Sequence, residues 1–142
     1  MTEIKKQRFK TSFGLWSQFQ HELNTAMDAV ANFPCGEEED LERTYWNRIK
    51  QNCETFCLFA YEDEKPIGML CYGEHKKHID IRDFYVKREH RSKGVGKLLF
   101  EEVKKIKSGR IIHVGTVGGN ERVLKLYEEL GFKMLGYNLQ LN

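Results

Sequence analysis

The chain has 142 residues, 40% of them hydrophobic and 12% aromatic, which is enough to bury one sizeable core and too little for two. Its 23 basic and 21 acidic residues leave a net charge of +2, which gives no overall polycation for nucleic acid or membrane. No stretch approaches the roughly 20 apolar residues of a membrane span, and MTEIKKQRFK lacks the apolar core of a secretory signal.

A single domain over residues 1–142, located in the cytoplasm, is therefore expected. Cys35, Cys53, Cys57 and Cys71 lie among aliphatic and aromatic residues in a chain large enough to fold without staples, so reduced and mostly buried thiols are expected.

In chain order, EIKKQRF reads as a first strand. Leu15, Phe19, Leu23, Met27 and Val30 then recur at helical spacing up to the break at NFP, with Pro34 at a turn. A shorter helix carries Leu41, Tyr45 and Ile49. TFCLFAYEDEKPIGMLCYGE reads as a hairpin whose charged turn contains Lys65 and Pro66, and HIDIRDFYV as the next strand. There follow a glycine loop, a helix through KLLFEEVKKIK, a strand RIIHVGTV, a helix ERVLKLYEEL, a Gly-Phe turn, and one final strand in KMLGYNLQL, bent at Gly136. This order predicts an α/β (α+β) domain with an antiparallel first half and a strand–loop–helix–strand crossover in its second half.

The glycine loop does not fit two common phosphate-binding patterns. A Walker loop needs a glycine where Arg91 stands and a Ser or Thr where Leu98 stands. A dinucleotide fingerprint needs a third glycine at Leu99, and a tighter turn than the seven residues between Val86 and Gly94 allow. What remains is a glycine-spaced segment at a helix N-terminus, where unpaired amides and the positive dipole end favour an anion. From Lys87 to Arg110 there are nine Lys or Arg against three Glu.

Two motifs together decide the reading. Arg91-Ser92-Lys93-Gly94-Val95-Gly96 follows the strand DFYV, and Asn120 opens a helix that ends Tyr127-x-x-x-Gly131-Phe132. In order and distance this resembles the GCN5-related N-acetyltransferase (GNAT) family over nearly the whole chain. The resemblance implies that fold: a mixed, mostly antiparallel central sheet flanked by about four helices, with a splayed central strand pair. It implies acetyl-CoA as cosubstrate and no metal. The backbone of Phe84, Tyr85 and Val86 would bind the pantetheine arm, and the amides from Ser92 through Lys93, Gly94, Val95 and Gly96 to Lys97 would hold the pyrophosphate, with Arg91 and Asn120 as further motif positions. Lys93 and Lys97 would add attraction, with Lys87 and Arg88 as weaker candidates.

For chemistry, the resemblance implies that Tyr127 protonates the departing thiolate and that the N–H at or near Phe84 stabilises the oxyanion. By spacing from the loop, the family's strand carboxylate falls on Asp80, although Glu74, His75, His78 or a water chain would also serve as base. Simple alternation puts Asp80 and Arg82 on the face opposite Asp83, and an Asp80–Arg82 pair would be structural. Tyr127 also shares an apolar helix face with Val123, Leu126 and Leu130, where a packing role would suffice.

Cys53-x-x-x-Cys57 with His75-x-x-His78 has neither zinc-knuckle spacing, and Cys57 sits inside an apolar run, so no zinc is expected there. Trp16 reads as core, whereas Tyr45, Trp46 and the acidic run 37–40 border the region where an amine acceptor would enter, or else form an ordinary helix start. Only ten residues follow Phe132, so the C-terminal end is short by family standards, and a cleft completed by a second copy in a homodimer is one expectation. The favoured function is acetyl transfer to a primary amine by direct attack. The alternative is a non-catalytic acyl-CoA-binding sensor or interaction module; a nucleic-acid binder resting on the basic segment is a distant third.

Overall fold

The chain begins with β1 (Thr2–Arg8), a single 3-10 turn at Phe9–Thr11 and the long helix α1 (Phe13–Ala31). The computed structural model describes residues 2–31, 41–51, 53–115, 121–135 and 138–141, without side-chain detail at 26–31, 115, 121–123, 134–135 and 138–140. Expectations placed on Pro34, Cys35, residues 37–40, Asn120 and Gly136, and on the side chains of Met27, Val30 and Val123, lie outside the described residues. Then come α2 (Leu41–Ile49), β2 (Glu54–Glu62), β3 (Lys65–Glu74) and β4 (His78–Val86). The second half is α3 (Val95–Lys107), β5 (Ile111–Gly115), α4 (Glu121–Glu129), β6 (Lys133–Leu135) and β7 (Asn138–Leu141).

The strands form one seven-stranded sheet in the order β1-β2-β3-β4-β5-β7-β6. β1 to β4 are antiparallel neighbours, β4 and β5 pair in parallel across the α3 crossover, and β7 returns antiparallel beside β5. This is the mixed sheet flanked by helices that the sequence predicts. Helices cover both faces. On one side Val95, Leu99, Phe100 and Val103 of α3 meet Tyr127 and Leu130 over Leu58, Leu70, Ile79 and Ile112. On the other, Trp16 and Phe19 of α1 and Tyr45 of α2 cover Cys57, Phe59, Met69 and Cys71.

Four local expectations are corrected. The β2–β3 turn is the pair Asp63-Glu64, both at positive φ (51° and 66°), a two-residue hairpin turn whose twist suits its strands. Lys65 and Pro66 therefore lie in β3, with Pro66 opposite Tyr61 at a register shift, where a missing N–H is tolerated. The last ten residues supply two strands, since β6 and β7 pair from Lys133↔Gln140 to Leu135↔Asn138; three-residue strands carry too short a pattern to be told from one bent strand. Cys57 and Cys71, expected as thiols, are directly opposed in the β2–β3 register with Cα atoms 4.2 Å apart, and are joined as a disulfide.

The fourth correction concerns the faces of β4. Its register with β3 slips between Cys71 and Tyr72, which face Asp83 and Ile81, so Arg82 is an inserted residue. The insertion resets the alternation. Ile79, Ile81, Phe84 and Val86 pack with the α3 cluster, while Asp83 turns to the α1–α2 side, as Asp80 already does. Arg82 does not pair with Asp80: its guanidinium lies over Gly73 and donates to Thr55 Oγ1 at 3.4 Å and to Cys53 Sγ at 3.1 Å.

Asp83, 4% exposed, ties the helices to the sheet. Its Oδ2 accepts from Trp16 Nε1 at 3.0 Å and from Arg48 Nη1, and its Oδ1 accepts from Arg48 Nη2 at 3.2 Å. A buried carboxylate is tolerable only with such partners. Arg48→Ala should therefore cost roughly 3–5 kcal/mol in urea unfolding, with part recovered in Arg48→Ala/Asp83→Asn because the uncompensated charge is gone. Equal stability of the single and double variants would refute the pairing. Tyr72 presents the opposite case: its ring is fully buried and its hydroxyl has no hydrogen-bond partner among the described residues. Removing that hydroxyl in Tyr72→Phe should leave stability unchanged or raise it by about 1 kcal/mol, read as the denaturation midpoint.

Candidate functional site

β4 and β5 pair only from His78↔Ile111 to Ile81↔Val114. β4 then continues to Val86 still paired to β3, but without a β5 partner among the described residues. β5 ends at Gly115 among the described residues, so along Phe84, Tyr85 and Val86 only the pairing with β3 is described. β4 then leads through the glycine loop to the N-terminus of α3.

The loop is built by its own backbone. Ser92 and Gly94 both have positive φ (62° and 85°), and Gly94 is the N-cap of α3 with no side chain capping the helix. The first-turn amides are thus left for a ligand, as an anion cradle requires. A Cβ on Gly94 would meet nothing within 4 Å, so glycine is required there by conformation, and the space in front of it is open. Gly96 answers a different constraint: its Cβ would lie 2.9 Å from Phe84 Cζ and 3.4 Å from Leu126 Cδ2. Glycine at 96 lets the helix settle onto the strand.

The motif arginine also faces inward. Arg91 Nε donates to the Val86 carbonyl at 2.8 Å, and its guanidinium sits over the Tyr85 ring at 5.3 Å. It fastens the loop to the strand that precedes it. Lys93 and Lys97 are exposed near the cradle, and Lys97 Nζ is 3.9 Å from Glu129 Oε2, a weak surface pair. Val95 is buried in the α3 cluster, so only its backbone N–H is available to a ligand.

Tyr127 lies beside Phe84 of β4. Its ring centroid is 6.4 Å from Phe84, 5.7 Å from Phe100 and 5.6 Å from Phe132. At 3% exposure it is also part of the core, so the packing role foreseen for its helix face is real. Burial pushes its phenol well above the usual tyrosine range, so it stays protonated through neutral and mildly alkaline pH. The structure thus gathers Phe84, Gly96 and Tyr127 at one place, with the loop adjacent. Asn120 lies outside the described residues.

Asp80 pairs with His113 of β5, one pair before the last described β4–β5 pair. His75 Nε2 is 3.0 Å from its Oδ2, His78 Nε2 is 3.4 Å from its Oδ1, and His113, its register partner on β5, is 3.9 Å from Oδ1 through Nδ1. His113 was not singled out by sequence reasoning. Only the parallel register of β4 and β5 brings it to Asp80, and the one usable signal was its matching place in the alternation of RIIHVG.

A family model described as the acetyltransferase (GNAT) family matches residues 16–132. Among solved structures, the chain is similar to the PaiA N-acetyltransferase of Thermoplasma acidophilum in complex with coenzyme A, at 21% identity and TM-score 0.72, covering 99% of this chain and 96% of that one. It is similar to a GNAT-family acetyltransferase of Desulfovibrio desulfuricans at 17% identity and TM-score 0.73, covering 100% and 99%. An acetyltransferase from Thermus thermophilus matches at 14% identity and TM-score 0.74, covering 99% and 94%.

The Gly96 contact is directly testable. Gly96→Ala should lose about 1–3 kcal/mol by overpacking against Phe84. In Gly96→Ala/Phe84→Leu, where the ring edge is gone, the combined loss should fall short of the sum of the two single losses; strict additivity in chemical denaturation would show that the two residues do not collide.

Proposed function

Because the chain belongs to the acetyltransferase (GNAT) family, we propose that it transfers an acetyl group from acetyl-CoA to a primary amine by direct nucleophilic attack. The observation that carries this reading is the uncapped helix N-terminus at Gly94, reached from β4 through a loop with positive φ at Ser92 and Gly94. Its first-turn amides suit the diphosphate that joins the pantetheine arm of acetyl-CoA to its nucleotide. The relative from Thermoplasma acidophilum is described with coenzyme A. We read the whole chain as one catalytic domain acting in the cytoplasm.

In this reading, the amides from Ser92 to Lys97 bind the pyrophosphate, and the backbone of Phe84, Tyr85 and Val86 aligns the pantetheine arm along the end of β4. The N–H at or near Phe84 supports the carbonyl oxygen as negative charge develops there. The neutral amine nitrogen attacks the acetyl carbon, the carbon–sulfur bond breaks, Asp80 accepts the proton lost by the nitrogen, and Tyr127 gives one to the thiolate. His75 and His78 touch the Asp80 carboxylate and can pass the proton on. The acceptor approaches from the α1–α2 side, which Asp80 faces. The raised pKa of Tyr127 fits its part, since a donor must still hold its proton when the thiolate leaves.

Excess acetyl-CoA, at about a hundred times its dissociation constant, should stabilise the chain by roughly 2.7 kcal/mol, seen as a rise in Tm of several degrees. A folded Gly94→Glu variant should show no rise. No shift in the wild type, together with no heat in calorimetry, would rule out the cradle. With an active amine, Tyr127→Phe should lower kcat by about a hundredfold or more while the acetyl-CoA-induced rise in Tm remains. An unchanged kcat would confine Tyr127 to packing, and binding without thiol release across many amines would favour the acyl-CoA sensor.

A further inference from the structure

We propose that His75, His78 and Asp80 form a binding site for a divalent transition-metal ion of the zinc class, with His113 or a water as fourth ligand. Three of the chain's five histidines converge on this one carboxylate. One ligand atom from each of His75, His78 and Asp80 lies within 4.8 Å of the others. A tetrahedral ion with bonds of about 2.0–2.2 Å needs its ligand atoms about 3.3 Å apart. The contacts of 3.0 Å and 3.4 Å between the imidazole nitrogens and Asp80 already have that spacing.

The ligands are also held in place. The tight β3–β4 connection is closed by His75 N–H donating to the His78 carbonyl at 2.9 Å, which stacks the two rings at 4.2 Å and 8°. Arg110 pins this turn from the next strand, donating to the His75 carbonyl at 3.2 Å and to Glu74 Oε1 at 2.8 Å. Asp80 follows His78 on the same strand face, and the β4–β5 register sets His113 beside it. The backbone that carries the ligands is thus fixed, and binding requires that the stacked imidazoles rotate until their in-plane lone pairs converge on the ion.

One atom points specifically to a ligand. His75 Nε2 is buried and makes no hydrogen bond, although it lies 3.0 Å from Asp80 Oδ2. A cation bound by both atoms would satisfy the imidazole nitrogen and the carboxylate together. Imidazole with one carboxylate suits zinc and its neighbours better than magnesium or calcium. The disulfide removes Cys57 from any such set, so this is not the Cys–His grouping considered from sequence. If Asp80 is the base, a bound ion silences it; that consequence rests on the transferase reading, whereas the binding itself does not.

The test uses the full chain, stripped of metal by chelator and titrated with Zn2+ and Co2+ in the absence of acetyl-CoA. We expect one ion per chain, a visible Co2+ absorption band, and paramagnetic shifts on the imidazole resonances of His75, His78 and His113. Binding should weaken by at least about a hundredfold in His75→Ala/His78→Ala, since even outer-shell changes cost 10–100-fold. It should persist in His21→Ala/His90→Ala. The proposal is overturned if no one-to-one binding occurs, if the His75 and His78 resonances do not respond to Co2+, or if the His75→Ala/His78→Ala variant binds as the wild type does. The Co2+ shifts in the unaltered chain decide the matter even if that variant fails to fold.

Discussion

The inserted residue Arg82 in β4 is the constraint on which the rest of the site depends. A bulge bends its strand and increases the local twist, and here it follows directly on Ile81, the last residue of β4 with a described β5 partner. The same slip turns Phe84 towards α3 and Asp83 towards α1 and α2. An unbroken alternation would place a carboxylate under Gly96 and turn an aromatic ring to the other side. One additional residue thus assigns each side chain to its layer.

The two layers then do different work. On the α3–α4 side, Phe84, Phe100, Tyr127 and Phe132 form a mutually packed aromatic set beneath the loop, so the backbone around the cradle rests on a close-packed floor. On the α1–α2 side, attachment is polar as well as apolar: Trp16 and Arg48 both converge on Asp83, and the Tyr45 hydroxyl donates to the Phe9 carbonyl at 2.7 Å. Directional bonds set where those helices lie on the sheet.

Much of this was legible in the sequence. The helices of α1 to α4 and the strands β2 to β5 follow from apolar spacing, and the two motifs place the loop after β4 and Tyr127 on α4. What was missed shares one physical origin, pairing between strands. The alternation rule assigned Asp83 to the wrong face because a bulge leaves no mark in an apolar–polar pattern. Cys57 and Cys71 meet because of the β2–β3 register, and His113 meets Asp80 because of the β4–β5 register, neither of which spacing along the chain reveals. Tyr127 shows the converse: its helix face predicted packing, and the fold buries it in the core beside Phe84.

The latch from Arg91 to the Val86 carbonyl gives the recognition motif an unexpected grammar. Arginine carries several N–H groups on a planar head at the end of a flexible stem. In this chain one of them is engaged by the chain's own backbone, at the junction of strand and loop. The motif's first letter therefore spells a splice between strand and loop.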